Sequence, residues 1–425
     1  MVTATTSHAG EIIITELTLR SNSLTIAFPL LGIFSELNFF EDIYSASMHG
    51  TILLPEGFNL KEVFPLIGEE IITFSGYTPA YPNSPIKKTF SITGITEFDV
   101  ASAKKVVYLL NFVSAPTSIN LYSKVCCAYD DVISNSVLNV FTNYFPKSVI
   151  NIEPTANSIK LVAPTISPFE MLNMFAAKAL TSEGLSNFLF YEDNQIFNFK
   201  SLSSMFAQPV SAVFKKAFDR MRIYTPVVGT TRDVRGEYMN VKDMKVKTLF
   251  HNIERVMSGA YGHKVYDVDI FTKSNKIEIY SYQNNFNDHK HLNKYPVNTS
   301  IPFLNPENAN VEAVIGCSNY QNGYLIDNDG IIKTKRVPML SEASFIKLEL
   351  TTHGRTDIRV GNTITFLMGK YQTSDIESAT GDDHLDKYYS GKYLISAIHH
   401  RITLTRHETI MEVIKDSFPT QLTLR

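Results

Sequence analysis

The chain has 425 residues, 44% hydrophobic and 19% charged, which excludes a disordered chain and leaves room for several domains with large cores. Lys and Arg number 39 against 42 Asp and Glu, a net charge of −3, which excludes a basic protein whose affinity comes from neutralising phosphates. The 28 Phe and 21 Tyr, with no Trp, suit strand-rich folds and large interfaces.

Residues 11–30 alternate in polarity. Ile12, Ile14, Leu17 and Leu19 form one run, Leu24, Ile26 and Phe28 a second, and Asn22-Ser23 supplies the turn. After Gly68 come Ile71-Ile72-Thr73-Phe74, then a Pro-containing loop over 78–85. Phe90-Ser91-Ile92-Thr93-Gly94-Ile95 and a run over 106–113 follow. The pattern predicts an all-β, antiparallel unit over 1–115.

The period changes after Pro116. Ile133, Val137, Val140, Phe141 and Tyr144 fall at helical spacing, and Pro146 stops that helix. Ser167-Pro168-Phe169-Glu170 is a helix start: Ser167 caps, Pro168 takes the first helical position and Glu170 closes the capping box. A hairpin turning at Asp193-Asn194 completes a small α+β module over 116–208. Residues 209–255 read as a linker with a short helix over 247–257. A hairpin turning at Ser274-Asn275 opens a second β unit, 256–283 plus 341–416. Residues 284–340, rich in Asn, Asp and Pro, read as an irregular insertion, and 417–425 as a tail.

The β signals occur twice in one order. Gly68 precedes Ile71-Ile72-Thr73-Phe74, and Gly361 precedes Ile364-Thr365-Phe366. Phe90-Ser91-Ile92-Thr93-Gly94-Ile95 matches Tyr393-Leu394-Ile395-Ser396-Ala397-Ile398 in pattern, and each run leads to a last strand. Either the two units share a plan or two unrelated antiparallel barrels look alike. Ile395, Ile410 and Val413 are the candidates for the buried face of the second unit.

Several stretches resemble the central baseplate hub protein of T-even-type contractile-tailed bacteriophages. They are Pro164-Thr165-Ile166-Ser167-Pro168-Phe169-Glu170-Met171-Leu172, Gly259-Ala260-Tyr261-Gly262-His263-Lys264-Val265-Tyr266-Asp267, His353-Gly354, Ile358-Arg359-Val360-Gly361-Asn362-Thr363-Ile364 and Met411-Glu412-Val413-Ile414-Lys415-Asp416-Ser417-Phe418. The resemblance implies an α+β, mostly antiparallel β fold with two tube-protein-like β-barrel modules per chain. It further implies a homotrimer whose pseudo-hexameric ring joins a sixfold tail tube, or tube-initiator proteins, to a trimeric central spike. The ring would line the passage for DNA, which it would touch only transiently. Tape measure and baseplate wedge proteins are further partners in that picture, and the virion tail baseplate is the location. The hub of a related contractile secretion or injection spike is the alternative.

Motifs that carry chemistry are weak. There is no phosphate-binding loop, no dinucleotide fingerprint, no H-E-x-x-H and no G-x-S-x-G. S-x-x-K occurs at Ser84 to Lys87 and Ser344 to Lys347, two fixed positions that recur by chance. His289 and His291 could share one side of an extended segment, but a solvated loop is the simpler reading. His399-His400 lie on a strand and face opposite ways, which suggests one core-facing and one exposed imidazole. Asp382, Asp383, His384 and Asp386 lack the offsets of a calcium loop. Of three cysteines, Cys126 and Cys127 read as packing and Cys317 stands apart, so neither disulfides nor a zinc site is indicated, and synthesis in a reducing cytoplasm is expected. The first residues lack a basic signal-peptide region, and the longest apolar stretch, interrupted by Pro29, is too short to span a bilayer. No catalytic residue, cofactor or metal is therefore expected, and no stable membrane insertion. A cell-wall hydrolase and a carbohydrate-binding adhesin are the rivals from other classes.

Overall fold

The computed structural model describes residues 8–21, 27–56, 64, 66–100, 105–216, 234–249, 252–257, 259–269, 273–297, 311–316, 329–370 and 385–421. Thirteen strands share one sheet. The first seven are β1 (Ile13–Arg20), β2 (Ala27–Pro29), β3 (Glu36–Asp42), β4 (His49–Glu56), β5 (Ile71–Tyr77), β6 (Ile86–Val100) and β7 (Lys105–Ser114). The α+β module intervenes. Then come β8 (Val210–Lys216), β9 (Val241–Leu249), β10 (Ile346–His353), β11 (Thr363–Met368), β12 (Gly391–Thr403) and β13 (His407–Lys415).

The short β2 apart, the first set runs β3-β4-β7-β6-β5-β1 across the sheet and the second runs β9-β10-β13-β12-β11-β8. Numbered within each set, both orders read 2-3-6-5-4-1. Agreement reaches single residues. β6 carries a bulge at Thr93 against β7, and β12 carries one at Ser396 against β13. Thr93 Oγ1 donates to the Asn111 carbonyl at 3.2 Å, and Ser396 Oγ donates to the Glu412 carbonyl at 3.1 Å, each residue being the one opposite the position just past its bulge. Ile72-Thr73-Phe74 and Ile364-Thr365-Phe366 also hold the same places, with Ile72 opposite Phe90 and Ile364 opposite Tyr393. Bulges bend and twist a strand at a fixed point, so two in one place give both modules the same curvature. The modules differ in one pairing: β1 lies antiparallel to β5, while β8 lies parallel to β11. β8 follows directly from the α+β module, which sets its direction.

Each set has its own core. Phe39, Phe74, Phe90 and Phe112 cluster in the first, with Phe39 4.8 Å from Phe74 and 5.3 Å from Phe90 between ring centres. Leu348, Leu350, Phe366, Tyr393, Ile395, Met411 and Val413 fill the second. The α+β module packs helices Ile133–Tyr144 and Pro168–Lys178 on the hairpin Phe188–Glu192 and Phe197–Ser201.

Several readings of the sequence need correction. Residues 36–56 carry β3 and β4, which the pattern left unassigned; Glu41 among the inward positions of β3 broke the apolar alternation. The supposed linker, 209–255, supplies β8 and β9 to the second module. β9 pairs with β10 across two bulges, after Val241 and after Val246, and two register shifts in nine residues erase a period of two. Among the described residues of 247–257, where the sequence predicts one helix, Asn252–Met257 is helical and 247–249 belong to β9. The hairpin Gly262–Asp269 and Ser274–Ser281 is not part of the second module's sheet. It forms a separate three-stranded sheet with Val311–Gly316, and Ile277 and Ile279 stay exposed on it. The insertion also carries a helix, Asp329–Glu342. Ile410 lies off the core, because β13 buries His407, Thr409, Met411 and Val413 and so turns Glu408, Ile410 and Glu412 outward.

Candidate functional site: the junction of the two β modules

β12 is longer than its module needs. Gly391 to Leu394 pair with β11, and Ala397 to Thr403 then pair antiparallel with β3 of the other module, on the same side. Ala397 stands opposite Asp42 and Thr403 opposite Glu36, and this single ladder makes the two modules one sheet.

The inward face of the ladder sets one polar pair among the buried apolar residues Leu37, Phe39, Ile398 and Ile402. Glu41 and His400 are buried, with His400 Nε2 3.3 Å from Glu41 Oε1, close enough for an ion pair. His400 Nδ1 lies 3.0 Å from Nε2 of His407, also buried. Burial holds the Glu41 carboxyl above its usual range, against the pull of His400. Burial also drives His407 well below the usual imidazole value, so that ring is neutral. Gly354 sits against the His407 ring, and a Cβ there would overlap it.

The hairpin of the α+β module plugs into this junction. The Asn194 N–H donates to Glu41 Oε2 at 3.1 Å, and its side-chain amide donates to the Ile358 carbonyl at 3.3 Å. Glu192 accepts from the Met48 N–H at 3.0 Å, from Lys88 at 2.6 Å and from Ser114 at 2.8 Å. Thr78 and Thr356 exchange reciprocal backbone-to-hydroxyl hydrogen bonds of 3.1 and 3.2 Å. One turn thus holds residues of both modules at once through hydrogen bonds from Asn194 to Glu41 and to the Ile358 carbonyl.

The outward face is polar with its charges paired. Arg401 meets Glu36 at 2.8 Å, Lys347 meets Glu412 at 3.0 Å, Lys247 meets Glu349 at 2.7 Å and Lys242 meets Glu408 at 3.0 Å. Arg401 holds the Glu36 carboxyl below its usual range, and Lys247 does the same for Glu349. His399 stacks on Phe40, with ring centres 4.4 Å apart, and bonds Asn38 Oδ1 at 2.7 Å. It is covered by β3 rather than exposed as the strand alternation suggested.

The residues singled out from the sequence lie elsewhere. Ser167, Pro168 and Glu170 form the capping box of helix Pro168–Lys178, within the α+β module. Gly68 and Gly361 precede β5 and β11 at positive φ, 92° and 78°. Ile395 and Val413 are buried in the second core. Cys126 and Cys127 are exposed, not packed, in the irregular stretch between Val125 and the strand Ala128–Val132. His289 and His291 are not in a solvated loop: both side chains are only 6% exposed, and His291 Nδ1 lies 2.7 Å from Asp416. Cys317, Asp382, Asp383 and His384 lie outside the described residues. Glu41, Glu192 and His407 carry no local signal in the sequence, and Asn194 is legible there only as part of the Asp193-Asn194 turn. Among the described residues no group of three or more His, Cys, Asp or Glu is placed to hold a metal ion. No helix among them is long and apolar enough to cross a membrane.

No family model matches the chain. A curated relative does: it is 21% identical over 387 residues to the probable baseplate hub protein gp334 of Vibrio phage KVP40, covering 87% of this chain and 86% of that one. This chain resembles a phage baseplate hub protein along nearly its whole length. The 43 kDa tail protein of prophage MuSo2 from Shewanella oneidensis has the same fold, with a TM-score of 0.57 at 8% identity over 95% of this chain and 99% of that one. So does a tail protein from Neisseria meningitidis MC58, with a TM-score of 0.54 at 9% identity over 94% and 96% of the two chains. The mostly antiparallel architecture read from the sequence is therefore shared with these two tail proteins.

Proposed function

We propose that this protein is the structural hub of a contractile phage tail baseplate, and that three copies close a ring of six β modules. The observation that carries the reading is the strand path used twice, with its bulges in the same place, on one continuous sheet. Two equivalent modules per chain let three chains present sixfold spacing on one side and threefold spacing on the other. A sixfold tail tube or tube initiator and a trimeric central spike are the partners of those two sides. The relationship to a baseplate hub protein supports the same placement.

The outward face of the sheet suits a passage. Its lysines, arginine and carboxylates neutralise one another, so a duplex gains little by releasing counterions there and slides without sticking. The α+β module fixes the angle between the two modules through Glu192 and Asn194, which makes each chain a rigid third of the ring. The work is mechanical, not enzymatic, done in the virion baseplate after synthesis in the host cytoplasm. Native mass spectrometry of the purified protein should give three chains, and electron-microscopy class averages should show a ring with near-sixfold spacing. A native mass that is not a multiple of three chains overturns the reading. Release of fragments from labelled peptidoglycan would overturn the non-enzymatic part.

A further inference from the structure

Residues 289–297 strap the insertion to the second module. The Leu292 side chain is buried in that module's core. The Leu292 N–H donates to Asp416 Oδ1 at 3.2 Å, and the Asn293 N–H donates to Ser417 Oγ at 2.7 Å. The Asn293 side-chain amide donates to the Lys392 and Ser417 carbonyls at 3.0 Å each, and its oxygen accepts from the Lys392 N–H at 3.0 Å. Tyr295 and Pro296 then pair antiparallel with Phe418 and Ser417. The strap therefore crosses the start of β12 and the chain just beyond β13.

His291 keys the strap. Its Nδ1 lies 2.7 Å from Asp416 Oδ2, and its Nε2 lies 2.7 Å from the Phe286 carbonyl. A neutral imidazole has one donor and one acceptor, and a carbonyl oxygen only accepts. Asp416 acts as an acceptor on its other oxygen too, from the Leu292 N–H and from the Ser417 hydroxyl at 2.6 Å. Both ring contacts are satisfied together when each nitrogen carries a proton. The Phe286 ring stacks on the imidazole at 3.7 Å between centres and 9° from parallel, which suits a flat cation.

The charged neighbours fit that state. Its own segment brings Asp288 and His289, and the helix Asp329–Glu342 brings Glu342, which accepts from the Tyr280 hydroxyl. Arg255 donates to the Ser341 and Ser344 carbonyls. From the second module, Lys392 aims its ammonium at the Phe206 and Gln208 carbonyls, and Lys415 at those of Tyr388 and Ser390. Among the described residues His291 is thus the cation in contact with Asp416. Burial works against a charge on His291, but the hydrogen bond and charge of Asp416, with the Phe286 carbonyl and Glu342, hold the ring above its ordinary 6.5. Burial and the neighbouring His291 push His289 down to about 4.

We propose that the strap is a latch closed by one proton on His291, whose loss frees 289–297 from the second module while the two modules keep their shared sheet. Without that proton one ring nitrogen turns a lone pair on an acceptor, and Asp416 is left buried without its counter-charge. The ladder that joins the modules runs from Ala397 to Thr403, away from Gly391 and Lys392, where the strap crosses. Because the closed state raises the His291 value, the latch has full strength below 6.5 and is lost as pH rises through the raised value. Glu342 changes in the same direction, whereas His289 and Lys415, which burial brings to about 7, change in the opposite one.

Hydrogen exchange read by mass spectrometry on the full chain tests the latch from about pH 5.5 to about pH 9. Exchange at the histidine C2 position reports the ionisation of His291, and exchange of the backbone amides of 289–297, corrected for intrinsic rate, reports opening of the strap. The His291 midpoint is expected above 6.5. Opening should rise by up to about tenfold per pH unit from there to the midpoint and level off beyond it, with protection over 397–403 unchanged. Asp416→Asn should lower the midpoint. His291→Gln should leave the strap open to the same extent at every pH, and Glu342→Gln should keep the response. If the His291 or Asp416 variant does not fold, the unaltered chain and Glu342→Gln still decide. A midpoint at or below 6.5, a strap whose protection ignores pH, or a response lost in Glu342→Gln overturns the latch. So does a His291→Gln strap as closed at pH 6 as that of the unaltered chain.

Discussion

His400 Nε2 stands 3.3 Å from Glu41 Oε1, and the two residues lie on neighbouring strands of different modules. Each ring or carboxylate is buried where the modules meet, so neither can be hydrated if the other is removed. His400→Ala should therefore cost about 3 kcal/mol, chiefly by leaving the buried Glu41 carboxyl without its partner. Denaturant unfolding measures it. A loss below about 1 kcal/mol would show that the pair is not part of what joins the modules.

Gly354 is required by close approach. Its N–H donates to the His407 carbonyl at 2.8 Å, and a methyl group on its Cα would overlap the His407 ring. Gly354→Ala should destabilise by roughly 1–3 kcal/mol through forced repacking. A thermal midpoint equal to the unaltered protein would contradict the packing described.

Ser167 accepts from the Glu170 N–H at 3.4 Å, while Glu170 accepts from the Ser167 N–H at 2.8 Å. Ser167→Ala removes one half of this box and should cost about 1 kcal/mol. Glu170→Gln should cost less, since an amide oxygen still accepts. Unfolding curves that rank the two variants in the opposite order would argue against the cap.

Glu342 gives a pH dependence of known sign. Burial pushes its carboxyl from an ordinary 4.5 up to about 8, and the hydrogen bond donated by the Tyr280 hydroxyl at 2.7 Å works against that rise. The folded chain keeps a proton that the unfolded chain gives up at about 4.5. Its stabilising contribution is complete at low pH and is lost as pH rises through about 8. Between those limits the slope is up to about 1.4 kcal/mol per pH unit. Glu342→Gln abolishes it, so the variant should gain on the unaltered protein steadily from pH 5 to 8. Parallel stability curves for the two would show that Glu342 ionises normally.

Much of the repeat was legible in the sequence, because its signals are local. Phe90 to Ile95 and Tyr393 to Ile398 align in sequence as they do in space, and their bulges fall at Thr93 and Ser396. The capping box at Ser167 is a four-residue device and needs no distant partner. β9 was illegible because two bulges break its period, and β3 because a buried Glu41 breaks its apolar run.

The amino-acid sequence by itself determined the kinds of element, the helix start at Ser167 and the order of strand signals in each module. These follow from side-chain period and capping chemistry, which act within a few residues. Only the tertiary structure decided that β12 outruns its module to pair with β3 and that Asn194 reaches Glu41. Those outcomes depend on which buried polar groups find partners across more than a hundred residues of chain, and no local pattern encodes them.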